Sequence, residues 1–430
     1  MSGRTGGYAR DRRAVNGGRH SDDSHVGHRL QRSSPTADAI DVSLNGVNNL
    51  RPKCEQTYRV IVANVSTDSS LVYEKQLWND IKQYRHQKDT ILIEYLIGFY
   101  VSLMEAIVTN DRHKEPYLLF AINSQLSATT RLLLYNILIR IGDLNRYLNK
   151  TSIAENYYLR ARRLDPTRGH AYNQLAINTP LSQHLKCIYY YCRAAKSSAD
   201  PIVIAETNLK VAVNRFDSDI LKSIIKNGSN VSDGSPDDQQ LIPTYPQKGI
   251  DWFYLSVISI YSDNMDTILR PLIQFVITNC ELTSNKHLDC SNNKDLSFAL
   301  MAFDVSIDFI ALKAQQKSFF DVFAKELKDV KAALKSCSDV LNDSKDSDKE
   351  GQSDSHTKAL FHDYFLRGFS PLTPIHSQLV FDANETLVVR ADQLVLRVVN
   401  KLDKLLSQPK SVKPKRMRNV ALGSILENDS

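Results

Sequence analysis

The sequence predicts an all-α protein, and three observations predict it. Apolar residues recur at helical spacing almost without a break from Ser70 to about Phe216, and again from Trp252 onward. No stretch alternates apolar and polar residues for long enough to build a sheet. Only 16 glycines and 14 prolines punctuate 430 residues, few for this length.

Residues 1 to about 55 are rich in Gly, Arg, Ser, Asp and His without apolar periodicity, and are expected to be a disordered basic tail. Leu71, Leu77, Trp78 and Ile81 open the helical body. Ile91 to Val108 follows as a helix apolar on most sides, expected in the centre of a bundle. Glu94 and Glu105 inside that run favour a buried helix over a membrane crossing. Helices are expected at 117–125, 129–148, 152–164, 168–178, 181–197 and 201–215. Ser152 with Glu155 reads as a capping box, and Thr179-Pro180 and Asp200-Pro201 each as an N-cap followed by proline. Residues 227–249 read as a linker. A second helical region spans 250–407, with helices near Trp252 and at 265–283, 295–338 and 386–407, and a polar loop at 342–358. Residues 408–430 form a second basic tail, so the first folded domain is 56–226.

The net charge of +6 is unevenly placed. Residues 1–34 carry seven arginines against three aspartates, and residues 408–430 five basic residues against two acidic ones, which leaves the body near neutral. A duplex-binding body would carry a basic stripe of its own, so any RNA contact is expected only through the tails. The six cysteines show no Cys-x-x-Cys spacing, and no zinc pattern can be written with the eleven histidines. They read as reduced thiols, and the N-terminus lacks an apolar signal region, which together suggest a cytoplasmic chain with a nuclear option left open by the basic tails. Phosphate-cradling glycine loops, nucleophile elbows and His-Glu-x-x-His motifs are absent, so no catalytic residue, cofactor or metal is expected.

Counting from Gly142, Ala154, Tyr158, Ala161 and Pro166 fall at the offsets of a tetratricopeptide repeat: small residues where two helices touch, an aromatic in the gap, a proline to stop the second helix. A degraded copy follows about 34 residues later through Tyr172, Leu175, Ala176, Cys192 and Ala195. Two repeats are too few for a free solenoid, so they belong inside a larger helical domain.

Arg146 and Tyr147 end the first repeat helix. A guanidinium matches two oxygens of a phosphorylated serine, a phenol can add a donor, and Asp143 can orient the arginine. Gly142, one turn before, would let another chain approach closely. Spacing alone favours the plainer alternative, an Asp143–Arg146 pair on a solvated face. Lys82 and Arg85 could add cations from a neighbouring helix or merely solubilise it, and Asn173 could clamp a peptide backbone or cap a turn.

The runs Gly142-Asp143-Leu144-Asn145-Arg146-Tyr147, Tyr172-Asn173-Gln174-Leu175-Ala176, Tyr189-Tyr190-Tyr191-Cys192-Arg193 and Leu366-Arg367-Gly368-Phe369-Ser370-Pro371-Leu372 together resemble the SMG adaptors of nonsense-mediated mRNA decay, a group that includes the ever-shorter-telomeres protein. The resemblance covers roughly residues 70–407 and is strongest to the seventh-member type. It implies a 14-3-3-like domain with tetratricopeptide-type helix pairs, then a domain of helical hairpins. It also implies a non-enzymatic adaptor that binds phosphoserine on the up-frameshift RNA helicase, pairs with a fifth-member-type SMG chain, and couples to decay or phosphatase factors, without a membrane and without a C-terminal nuclease domain. Arg146 and Tyr147 would grip the phosphate. The family's lysine aligns with Gln83, so Lys82 or Arg85 would substitute for it, or the pocket has decayed and the chain is a dimerisation scaffold. A telomerase-associated nucleic-acid binder is the other alternative.

Overall fold

The computed structural model describes residues 37–84, 89–110, 126–215, 245–285, 293–313, 318–342, 359–379 and 391–407, together with Leu221 and Ile224. The chain divides into two compact units, Met1–Val42 and Ser43–Ser430; of the first only the start of a helix is described. Every regular element among the described residues is helical, as the apolar spacing requires.

α1 (Ala37–Ala63) corrects the expectation of a disordered tail reaching residue 55. Its Val47, Leu50, Cys54 and Ile61 recur every three to seven residues and are buried. Pro52 within the helix and the polar residues around it hide that period in the sequence. α2 (Asp68–Tyr84) buries Leu77, Trp78 and Ile81. α3 (Thr90–Asn110) buries Leu92, Leu96, Tyr100, Leu103 and Ile107 along one face, against α4 (Ala128–Tyr147). Ile91 stays exposed and Phe99 half-buried, so α3 flanks the bundle and does not occupy its centre. By length and composition its Thr90–Thr109 is the one span among the described residues apolar enough to cross a membrane.

Ser127 caps α4, its Oγ accepting from the Thr130 N–H at 3.0 Å. α5 (Thr151–Leu164), α6 (Gly169–Asn178), α7 (His184–Ala195) and α8 (Val203–Arg215) follow, each packed on the one before it. The repeat residues Ala154, Tyr158 and Ala161 are fully buried between α4 and α5. The expected caps need correction. α5 follows Lys150, which makes no side-chain cap, and Glu155 instead pairs with Lys186 at 2.9 Å. Thr179 ends α6 by donating its hydroxyl to the Leu175 carbonyl, and α8 begins at Val203, two residues past Pro201.

The second helical region comprises α9 (Gly249–Tyr261), α10 (Asp266–Asn285), α11 (Lys294–Lys313), α12 (Ser318–Asn342), α13 (Phe361–Leu366), α14 (Thr373–His376) and α15 (Ala391–Leu406). The single helix expected over 295–338 is two, α11 and α12. α9 packs on α7 and α11, α10 on α12, and α15 across α11 and α12. Because α9 lies directly on α7, the helical regions before and after 227–249 share one core. The expected helix 117–125, and most of the expected linker, the polar loop and the C-terminal tail lie outside the described residues.

Cys54, Cys187, Cys192 and Cys280 are buried and stand outside any disulfide. Burial pushes the Cys54 thiol up to about 12 and Cys187 to about 11, which keeps both protonated and unreactive.

Candidate functional site

Gly142 and Asp143 sit where α4 crosses α5. A Cβ at Gly142 would lie 2.4 Å from the Tyr158 ring, so the missing side chain makes room for that ring and not for an incoming chain, a correction to the sequence reading. The Tyr158 hydroxyl so placed donates to Asp143 Oδ1 at 2.8 Å and accepts from Arg146 Nε at 3.3 Å. Arg146 Nη2 reaches the same Asp143 oxygen at 3.4 Å. Burial raises the Tyr158 phenol and the Asp143 carboxylate adds to that, so it stays a donor. Burial works against the Arg146 charge, but the Tyr158 bond and the Asp143 carboxylate outweigh it and hold the guanidinium above its ordinary pKa.

The plain alternative of a solvated Asp143–Arg146 pair therefore does not describe this site. The Asp143 side chain is 6% exposed, while Arg146 is 26% exposed. Both Arg146 contacts are long for charge-assisted bonds, which run about 2.7–2.9 Å, and a guanidinium has five N–H donors to place. Arg146 is fixed in orientation yet only lightly committed. Its guanidinium carbon lies 5.2 Å from the centre of the half-buried Tyr147 ring.

Sequence reasoning missed three residues here. Arg140, two turns before Arg146, is half-buried with Nε 2.9 Å from Glu74 Oε1 and its guanidinium 4.7 Å from the Trp78 ring centre. His170 opens α6, half-buried, with Nε2 3.4 Å from Gln174 Nε2. Burial lowers its pKa; Asp143 and Asp200 oppose that, and Arg140 and Lys82 reinforce it, so charged groups of α2, α4 and α6 share one field. Gln174 is also buried, and its Oε1 has no hydrogen-bond partner. The spacing Arg140, Asp143, Arg146 on one helix is the signal that could have revealed Arg140; His170 carries none in the sequence.

Lys82, in the last turn of α2, is exposed and forms no ion pair among the described residues. Gln83 beside it is also exposed, and Arg85 lies outside the described residues. Asn173 on α6 is buried, and its Oδ1 has no hydrogen-bond partner. An unpaired buried acceptor costs about 1–3 kcal/mol unless a water or a ligand donates to it. Among the described residues no group of three or more His, Cys, Asp or Glu could hold a metal.

A family model described as the Est1 DNA/RNA binding domain matches residues 154–242. The nonsense-mediated mRNA decay factor SMG7 of Danio rerio is 33% identical over 142 residues, covering 29% of this chain. Over these residues the chain is similar to the SMG/EST1 group. The match spans 12% of that zebrafish relative. Among solved structures, the C. elegans SMG5–SMG7 complex aligns over 86% of this chain and 100% of that chain at 15% identity, with a TM-score of 0.39, too low to bear on the site. The family model's match takes in α6, α7 and α8, so the helix carrying His170 and Asn173 lies in the part similar to that family.

Proposed function

We propose that this chain is a non-enzymatic adaptor in nonsense-mediated mRNA decay whose α4 and α6 hold a phosphoserine of the up-frameshift RNA helicase. Arg146 supplies the paired donors, Lys82 the second cation and Asn173 a contact to the peptide backbone. Tyr147 stacks beside the guanidinium. The heterodimer with a fifth-member-type SMG chain, the coupling to decay or phosphatase factors and the cytoplasmic setting rest on the resemblance to SMG proteins alone.

The observation that carries this reading is the state of Arg146: oriented by Tyr158 and Asp143, joined to them by 3.3 and 3.4 Å contacts, and part-exposed. A phosphate carrying nearly two charges can take such a guanidinium without breaking a strong pair. Gln83 favours a second reading, a dimerisation scaffold with a decayed pocket, because it stands where the family's lysine aligns.

Calorimetric titration of a phosphoserine peptide from the helicase, and of its unphosphorylated twin, separates the two. Wild type should prefer the phosphorylated peptide, and Arg146→Glu should weaken it by at least about 2 kcal/mol, roughly thirtyfold. Equal affinity for both peptides would leave the scaffold.

A further inference from the structure

The segment Leu366–Leu372 lies more than a hundred residues beyond α8, yet it is built into the support of α6. Ser198 donates its N–H to the Gly368 carbonyl at 2.8 Å, and Ser370 donates to the Lys196 carbonyl at 2.8 Å. Those residues form the turn between α7 and α8. The same turn holds the loop that precedes α6, since Ala199 donates to the Thr167 carbonyl at 3.1 Å and Gly169 to the Asp200 carbonyl at 2.9 Å. Gly368 has φ +76°, and a Cβ there would lie 2.5 Å from Thr167 Cα. Only glycine lets three backbones meet so closely with that φ.

One buried cation ties the side chains together. Arg193 on α7 has no exposed surface. Its guanidinium carbon is 4.6 Å from the Tyr172 ring centre and 5.0 Å from that of Phe369. Its Nη2 donates to the Tyr172 hydroxyl at 2.7 Å and to the Arg367 carbonyl at 3.0 Å. Tyr172 directly precedes Asn173, and its hydroxyl donates to the Pro166 carbonyl at 3.3 Å. A charge buried this deeply depends on its partners, so losing one of them is costly.

We infer that Leu366–Leu372 positions α6 for ligand: Arg193, Gly368 and Phe369 are positioning residues that set Asn173 and His170 against α4. This rests on the phosphopeptide reading above. It makes the later helical region a part of the binding site's scaffold, not a separable appendage, and any partner that pulls on 366–372 would weaken phosphate binding, with phosphopeptide resisting that pull in return.

The test uses the full chain with Phe369→Leu, which keeps an apolar side chain but removes the ring from Arg193, and Val330→Ala on α12 as a comparably small core change remote in sequence. Hydrogen exchange of α6 amides and affinity for the phosphoserine helicase peptide and its unphosphorylated twin are measured for each. Phe369→Leu should speed exchange in α6, leave α3 unchanged, and weaken the phosphorylated peptide about tenfold or more, while Val330→Ala leaves α6 exchange and affinity at wild-type values. Wild-type α6 exchange or wild-type affinity in Phe369→Leu would overturn the inference, as would equal effects of both substitutions. A wild-type chain that binds both peptides equally would instead end the phosphopeptide reading, and this positioning role with it, before any variant is compared.

Discussion

Two arginine–aspartate clusters in this chain use the same chemistry for opposite ends. Around Arg146 the contacts are long, one carboxylate is shared between an arginine and a tyrosine, and the guanidinium is part-exposed. Around Arg397 on α15 the arginine and its carboxylates are more deeply buried, the ionic partners are more numerous, and several contacts are short. Arg397 grips Asp363 of α13 through Nη1 at 2.5 Å and Nη2 at 3.3 Å, and its Nε lies 3.2 Å from Asp304 of α11. Lys401 sits 2.7 Å from both Asp304 and Asp308, and His362 Nε2 is 2.8 Å from Asp304. Buried ion pairs contribute little net stability against an apolar core, but removing one partner strands a charge. The Arg397 cluster is therefore a clasp that fixes how α11, α13 and α15 meet. The Arg146 cluster has spare donors, and a ligand can engage it at little cost.

Three perturbations sharpen that contrast. Arg397→Ala should have the largest effect, destabilising the fold by about 3–5 kcal/mol in urea titrations because Asp304 and Asp363 lose their shared cation. Arg146→Gln, by contrast, should cost less, about 1–2 kcal/mol, because Asp143 keeps the Tyr158 hydroxyl as a donor, while phosphate preference is lost. Similar stability losses for both would erase the distinction. Next comes Gly142→Ala. The added methyl meets the Tyr158 ring at 2.4–2.9 Å, and overpacking of this kind costs about 1–3 kcal/mol, again read by urea. It should also weaken phosphopeptide binding, since Tyr158 is what orients Arg146; an unperturbed affinity would show that Arg146 needs no such brace.

The pH response is the smallest effect and belongs mainly to the clasp. Burial lowers His376 from 6.5 to about 4, with nearby cations adding to it and Asp363 opposing. As pH falls the unfolded chain takes that proton first, so stability is lost from about 6.5 down to 4. Burial raises Asp308 from 3.8 to about 6, although Lys401 opposes it. There the folded chain takes the proton first, so stability is gained from about 6 down to 3.8. The two oppose each other across that window while His170, also lowered by burial, adds to the loss, so melting temperature should fall only modestly between pH 6 and 4. Below pH 4 it should drop. Burial disfavours the Asp304 and Asp363 charges, but Arg397, Lys401 and His362 around Asp304, and His362 and Arg397 around Asp363, outweigh it and hold both carboxylates below 3.8. Protonating them favours the unfolded chain. A steep loss between pH 6 and 4 in circular-dichroism melts would show that the clasp is not closed as described.

The legibility of the two clusters differs for a physical reason. α4 to α8 were readable within about three residues, because each presents a clear apolar period and the Gly142–Tyr158 contact is encoded at a fixed offset. The Asp143–Arg146 relation is local, three residues apart on one helix, and so was visible too. The clasp was not. In the sequence Asp304 and Asp308 are only two carboxylates one turn apart, Arg397 and Lys401 only two cations one turn apart, and tertiary packing alone brings them together across about ninety residues. Arg140 escaped for the same reason, since its partner Glu74 is 66 residues away. The segment Leu366–Leu372 was recognised by its residues, but nothing local tells that Phe369 lies against Arg193. α1 was lost to its own composition, with Pro52 interrupting an otherwise helical period.

The contrast can be watched directly in the arginine Nε–Hε resonances of the isotope-labelled chain during titration with the phosphoserine helicase peptide. Arg146 should shift saturably with the phosphorylated peptide and stay still with its unphosphorylated twin, while Arg397 does not move in either. A silent Arg146 resonance through a titration that otherwise shows binding would contradict the account.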